Sequence, residues 1–200
     1  MRFLALFLMA STWLSAEQNG LERLLEGNKR YVADKLEHPN RTSVRREALV
    51  SKQEPFAVIV GCSDSRVAPE IIFDQGIGDL FVVRLAGNVV GPLGLDSIEF
   101  AVLYLKATTV LVLGHEACGA VGAVLAGTTK DIEAIAEKID PSLPKDRTGL
   151  TLNEAIRANA KGVKDNLLKS PVIGGLVKDG RVKVYAGYYN LESGKVDILD

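Results

Sequence analysis

The stretch FAVIVGCSDSR, residues 56–66, joins an apolar run to a short polar motif. The run is continuous over residues 56–60 and rich in β-branched side chains, which is typical of a strand buried in a parallel sheet. Similar runs lie at residues 80–83 and 109–113. Helical patterns cover residues 95–105, 118–125, 132–139 and 152–168, and later strand patterns cover residues 182–188 and 195–199. This alternation predicts an α/β fold with a mainly parallel central β-sheet flanked by helices.

An N-terminal helical arm is expected ahead of the sheet. Apolar residues recur at helical spacing among charged ones at Leu21, Leu24, Leu25, Tyr31 and Val32. A second, polar helix is expected over residues 44–52, ending before Pro55. The arm packs either on the core of its own domain or on a second subunit.

Length and charge limit the classes of protein to which the chain can belong. The chain has 200 residues and a net charge of −1. Residues 17–200 are enough for a single domain with a sizeable core. No basic tract points to nucleic acid as a partner, so a substrate has to be inferred from the site.

The first residues have the pattern of an export signal. Arg2 precedes the apolar run 3–10, and small residues follow up to Ala16. This order predicts a secretory signal peptide over residues 1–16 and a periplasmic location. The run is shorter than the roughly 20 residues that a membrane-spanning helix needs, so no stable span is expected in the mature chain. An uncleaved anchor and a plain hydrophobic N-terminus are the alternatives.

Five residues in two short motifs could build a metal centre. They are Cys62, Asp64 and Arg66 in the first motif, and His115 and Cys118 in the second. Two thiolates and an imidazole are good zinc ligands, and three protein ligands leave the fourth position open, as in catalytic zinc sites. Each motif follows a predicted strand, and ligands in such sheets bind beyond the carboxyl ends of the strands.

Export raises a rival interpretation of the two cysteines. Cysteines in an oxidising compartment often form a disulfide. A disulfide would make the chain a non-catalytic binding protein. It would not explain His115, Asp64 or Arg66, which favours zinc.

The pair of motifs resembles the zinc signature of β-class carbonic anhydrases. The similarity covers roughly residues 20–190 and includes Val67 and the stretches 79–84, 86–88, 97–101 and 114–119. It implies one Zn2+ per subunit, bound by Cys62, His115 and Cys118. It also implies reversible hydration of CO2 to bicarbonate and a proton. A related zinc hydrolase acting on a CO2-like molecule such as CS2 is an alternative.

The resemblance assigns roles to the two charged residues of the first motif. Arg66 would hold Asp64 in a bidentate pair, and Asp64 would then orient the reacting water. Released from Arg66, Asp64 could become the fourth zinc ligand in a closed state. Some bacterial members with a bicarbonate-inhibited closed state have tryptophan where this chain has Ile59, although Arg84 matches an arginine of that inhibitory site. The departure at Ile59 predicts an open site near neutral pH.

The resemblance also implies a substrate pocket shared between subunits. It places Gln53 in the site of a partner subunit and makes Phe81 and Phe100 apolar pocket residues. It has Gly119 offer its backbone N–H to a substrate oxygen. Plain core packing is the alternative for each phenylalanine. The implied assembly is a homodimer or a dimer of dimers.

Overall fold

The computed structural model describes residues 20–199. The predicted signal peptide, residues 1–16, lies outside the described residues. Within residues 20–199, no helix combines the length and the apolar character needed to cross a membrane.

A five-stranded sheet forms the centre of the described chain, in the order β2-β1-β3-β4-β5. The strands β1 to β4 are parallel, and β5 pairs with β4 in the antiparallel direction. The prediction of a mainly parallel sheet is confirmed. The strands are β1 (Ala57–Gly61), β2 (Leu80–Arg84), β3 (Thr109–His115), β4 (Lys183–Tyr189) and β5 (Val196–Ile198).

The described residues contain eight α-helices besides two short 3-10 helices, Ala86–Asn88 and Asp140–Ser142. They are α1 (Gly20–Val32), α2 (Ser43–Ala48), α3 (Pro69–Ile72), α4 (Pro92–Leu103), α5 (Gly119–Leu125), α6 (Glu133–Ile139), α7 (Leu152–Leu168) and α8 (Pro171–Lys178). The second helix is shorter than predicted, because it ends at Ala48 in a turn at Leu49. The short α3 and α8 were not predicted, although each begins with proline at its first position, where the missing N–H costs no hydrogen bond.

The alternating side chains of β1 enter two separate cores. Val58 and Val60 belong to one buried cluster, which α4, α5 and α7 cover. Ala57 and Ile59 belong to the other, which lies against α1 and α3. Burial on both faces explains why this strand is apolar throughout.

The N-terminal arm packs on its own chain. Leu24 of α1 is fully buried in the second cluster. Asn28 donates to the carbonyls of Ile72 and Gly194 and accepts a hydrogen bond from the N–H of Val196. Helix α1 is therefore part of the fold of its own subunit.

Candidate metal centre

The two predicted motifs meet at the carboxyl edge of the sheet. Strands β1 and β3 are neighbours, with Gly61 beside Leu113. Cys62 follows β1, His115 ends β3, and Cys118 is the N-cap of α5. Their ligand atoms lie within 4.8 Å of one another. The three residues are 5%, 0% and 1% exposed.

A tight turn brings Cys118 back toward His115. Ala117 has a φ of 54°, a left-handed conformation that is uncommon for alanine. Glu116 anchors the turn, because its N–H donates to Tyr189 O and its carboxylate accepts from Asn190 Nδ2 and Leu191 N. Glu116, to which the sequence assigned no role, thus ties the turn to the chain after β4.

The imidazole of His115 has the hydrogen bonding that a metal ligand would have. Its Nδ1 lies 2.8 Å from Glu116 O, and since a carbonyl can only accept, Nδ1 carries the proton. The other nitrogen, Nε2, is buried and has no hydrogen-bond partner among the described residues. A buried lone pair without a donor, facing two thiols, fits a metal ion.

Both cysteines are free, so the structure contains no disulfide between them. A hydrogen bond from the Cys118 thiol is the main cause that lowers the pKa of Cys62 to about 4, and His115 and the Gly87 amide act in the same direction. The same hydrogen bond, with burial, raises the pKa of Cys118. Tetrahedral zinc has ligands at roughly 2.0–2.3 Å, so its ligand atoms lie roughly 3.3–3.8 Å from each other, inside the 4.8 Å limit within which the three ligand atoms of this cluster lie.

Asp64 and Arg66 form a bidentate pair beside the cluster. Arg66 Nε donates to Asp64 Oδ1 at 2.9 Å, and Arg66 Nη2 donates to Asp64 Oδ2 at 2.7 Å. The bond from the Arg66 side chain, with one from its backbone N–H, holds the pKa of Asp64 far below its usual value. Asp64 Oδ2 lies 3.8 Å from His115 Nε2. The ionised carboxylate therefore borders the position where a fourth ligand would stand.

Two arginines hold the motif loops in place. Arg66 Nη2 donates to Ala117 O at 3.3 Å, which links the first motif to the second. Arg84 donates to the carbonyls of Cys62 and Asp64, at 2.9 and 2.6 Å. Arg84, which the resemblance matched to an inhibitory bicarbonate site, here braces the first motif.

The four predicted pocket residues do not lie together in one subunit. Gly119 is exposed at the start of α5, next to Cys118, with open space in front of it. Gln53 precedes β1 and lines a cavity of about 980 Å³ at the amino edge of the sheet. Phe100 lies near the end of α4, with its ring tilted by 36° against the ring of Tyr104, which lines the same cavity. Phe81 is half-buried and pairs with Val58, four residues before Cys62.

The amino and carboxyl edges are separated by the length of β1. Its five residues span roughly 16 Å at about 3.3 Å per residue. Gln53 and Phe100 therefore do not reach the metal-ligand cluster of their own chain, which consists of Cys62, His115 and Cys118.

Two residues that touch or support the cluster were not predicted. The Gly87 N–H donates to Cys62 Sγ at 3.3 Å, and Asn159 Nδ2 donates to Gly87 O at 2.8 Å. Gly87 lay in a stretch that the resemblance includes, which was the available signal. Nothing in the local pattern around Asn159 singled it out.

Comparison with known proteins gives a consistent result. Residues 57–196 match the family described as carbonic anhydrase. Carbonic anhydrase 2 of Mycobacterium tuberculosis is 40% identical over 186 residues, covering 88% of this chain and 90% of that protein. The carbonic anhydrase of Mycolicibacterium smegmatis is 39% identical over 184 residues, covering 88% and 89%.

Solved structures with the same fold are also similar to this chain. The β-carbonic anhydrase CcaA has a TM-score of 0.72 and 26% identity, covering 90% of this chain and 95% of that one. The β-carbonic anhydrase of Coccomyxa, in complex with acetazolamide, has a TM-score of 0.69 and 26% identity, covering 90% and 86%.

Proposed function

We propose, from the premise that this chain belongs to the β-class carbonic anhydrase family, that its Cys62, His115 and Cys118 bind one Zn2+ per subunit for the reversible hydration of CO2. The chain is a carbonic anhydrase by that membership. The observation that carries the zinc assignment is the buried, unpartnered Nε2 of His115 facing two free thiols. Zinc with three protein ligands supplies an activated water at moderate pH, because it lowers the pKa of the water bound to it.

Asp64 orients that water. Because Arg66 keeps its carboxylate ionised, Asp64 can only accept hydrogen bonds, so with zinc bound it would hold one O–H of the activated water and leave a lone pair of the oxygen free to face CO2. Arg66 holds both carboxylate oxygens and keeps Asp64 from becoming a fourth ligand. We infer an open site near neutral pH, which the Asp64–Arg66 pair supports. Asp64 bonded to zinc at that pH, without Arg66, would contradict it.

The test uses zinc-loaded protein and ligand variants. We expect one zinc per chain and rapid CO2 hydration in stopped-flow measurements, both lost in Cys62→Ser. Asp64→Ala should keep zinc but lose most of the activity. Zinc-loaded protein without CO2 hydration would overturn the proposal, and faster turnover of CS2 would favour the related hydrolase.

The pocket is completed by a second copy of the chain. Gln53 lies at the edge of the sheet opposite the cluster of its own chain, and Phe100 contacts Tyr104 at that edge, so both would line the site of another subunit. An apolar wall suits CO2, which has no net charge. Gly119, which is exposed at the start of α5, offers its N–H to a substrate oxygen. This arrangement requires a homodimer or a dimer of dimers.

Mixed dimers test the shared pocket. Cys62→Ser and Gln53→Ala should each have low activity as homodimers. A dimer of one of each contains one site with both zinc and an intact Gln53, so activity should return on mixing. Wild-type activity in the Gln53→Ala homodimer, or an active monomer, would contradict the proposal.

Export is a separate proposal, supported by the pattern of residues 1–16. The mature protein should be found in the periplasm and begin at Glu17. N-terminal sequencing of the fractionated protein checks this, and recovery of the uncleaved chain from the cytoplasm would contradict it.

A further inference from the structure

Asn159 reaches the metal-ligand cluster through one intervening residue. It lies on α7 and is 0% exposed, and its Nδ2 donates to Gly87 O at 2.8 Å. The carbonyl partner fixes the orientation of the carboxamide, because only its nitrogen can donate. Gly87 in turn donates its N–H to Cys62 Sγ at 3.3 Å. Two hydrogen bonds, joined by the backbone of Gly87, thus connect α7 to Cys62.

Packing also constrains Gly87, whose left-handed backbone conformation is one that glycine adopts readily. It has a φ of 67°, in the turn between β2 and α4. A Cβ at this position would lie 2.7 Å from Ile139 Cδ1 and 3.3 Å from Ala120 Cβ. Packing against Ile139 and Ala120 therefore restricts the turn on one side, and Asn159 holds the Gly87 carbonyl by a hydrogen bond. Together they aim the Gly87 N–H at the sulfur.

Stability alone does not explain Asn159. Its Oδ1 is buried and has no partner among the described residues, which costs free energy. Asn28, another buried asparagine, differs because it both donates and accepts hydrogen bonds in the fold. An asparagine kept in the core with its acceptor unpaired points to a use for its donor.

We propose that Asn159 is a positioning residue that sets how strongly Cys62 donates electrons to the metal, by holding the Gly87 N–H on the sulfur. This rests on the proposed function, since it assumes a metal on Cys62. The N–H···S bond draws charge from the thiolate, so the metal keeps more positive charge and more strongly acidifies its water. The bond also orients the sulfur, which favours metal binding.

Asn159→Leu tests the proposal, because it removes the donor while nearly preserving side-chain volume. Zinc affinity, measured by competition with a chelator, should fall about tenfold, the lower end for loss of a partner of a metal ligand. The thiolate-to-metal charge-transfer band of the cobalt-substituted protein should move to longer wavelength. The pH midpoint of kcat should rise.

Asn28→Leu is the matched control. It removes a buried asparagine far from the cluster, so it should lower the melting temperature and leave zinc affinity, the cobalt band and the pH midpoint unchanged. If Asn159→Leu leaves all three at wild-type values too, Asn159 is merely structural and the proposal fails.

If Asn159→Leu does not fold, a measurement on the wild-type protein can test the hydrogen bond from the Gly87 N–H to the sulfur of Cys62. In cadmium-loaded protein, NMR should detect scalar coupling between the metal nucleus and the Gly87 amide proton, transmitted through the N–H···S bond. A well-resolved Gly87 amide without coupling would overturn the proposal. Failure of the wild-type protein to bind any metal would instead overturn the proposed function.

Discussion

Two aspartate–arginine pairs in this chain have similar chemistry and different surroundings. Asp64 binds Arg66 beside the metal-ligand cluster, and Asp74 binds Arg30 beneath the N-terminal arm, with a shortest N–O distance of 2.7 Å in each. The pKa of each carboxyl group is lowered. Asp64 is 17% exposed, whereas Asp74 is 0% exposed.

The partners of each carboxylate show what it does. Both oxygens of Asp74 are used within the fold, since it also accepts from the N–H groups of Glu37 and His38. It fastens the chain after α1 to the end of α3. Asp64 has an oxygen 3.8 Å from His115 Nε2, so it still borders the cluster. A saturated, buried pair stabilises the fold, while a pair with one side open to a reactive position can take part in chemistry.

Asp64→Asn should cause the largest change in activity among the substitutions in the two pairs. The amide can no longer offer two acceptor oxygens to Arg66, so the water at the site loses its orientation. We expect kcat/KM for CO2 hydration to fall about a hundredfold, the cost of misplacing a reacting group. Zinc content and melting temperature should stay close to wild type. Activity within threefold of wild type would remove Asp64 from the mechanism.

Asp74→Asn should lower the stability of the fold and leave the activity unchanged, the opposite of Asp64→Asn. Breaking one side of a buried ion pair costs about 3 kcal/mol. For a domain of this size, that lowers the melting temperature by about 6–12 °C. Hydration activity per zinc-loaded, folded molecule should remain within twofold of wild type. A large loss of activity in the folded variant would mean that the two pairs are not functionally separate.

Lysine in place of each arginine gives a smaller, sharper contrast. Lysine keeps the charge but cannot make the planar fork that holds two carboxylate oxygens. Arg66→Lys should lower kcat about tenfold, since Asp64 becomes free to turn toward the metal. Arg30→Lys should lower the free energy of unfolding by about 1 kcal/mol and leave kcat unchanged. Equal effects of both substitutions on kcat would contradict the distinction.

Acid should erase the stabilising effect of Asp74. Its folded-state pKa is lowered below the unfolded value, so its contribution is fully present above the unfolded pKa of about 3.9. That contribution is lost as pH falls through the lower folded-state pKa. The difference in unfolding free energy between wild type and Asp74→Asn should therefore shrink below about pH 4. Urea unfolding across that range checks this, and a difference that grew toward low pH would contradict it.

The sequence predicts the metal-ligand cluster better than it predicts the groups around it. Cys62 and His115 follow strongly apolar strands, so their position at one edge of the sheet follows from the parallel pattern. The role of Asp74 depends on Arg30, 44 residues earlier, and no local pattern marks that contact. Asn159 and Gly87 are 72 residues apart and meet only because α7 packs across the sheet.

Short elements were also hard to predict, for a physical reason. The four residues of α3 complete barely one helical turn, which leaves no room for a repeating apolar pattern. In α8 glycines interrupt the apolar residues, and the proline at its first position was the remaining signal. Longer helices such as α7 repeat the pattern over several turns and were predicted with the bounds that the structure has.

We propose that zinc on Cys62, His115 and Cys118 hydrates CO2. This is tested most directly by adding zinc stepwise to metal-free protein while following CO2 hydration by stopped flow. The account predicts that activity rises in proportion to bound zinc and stops rising at one zinc per chain. Protein that binds one zinc per chain at these residues but hydrates CO2 no faster than buffer alone would contradict it.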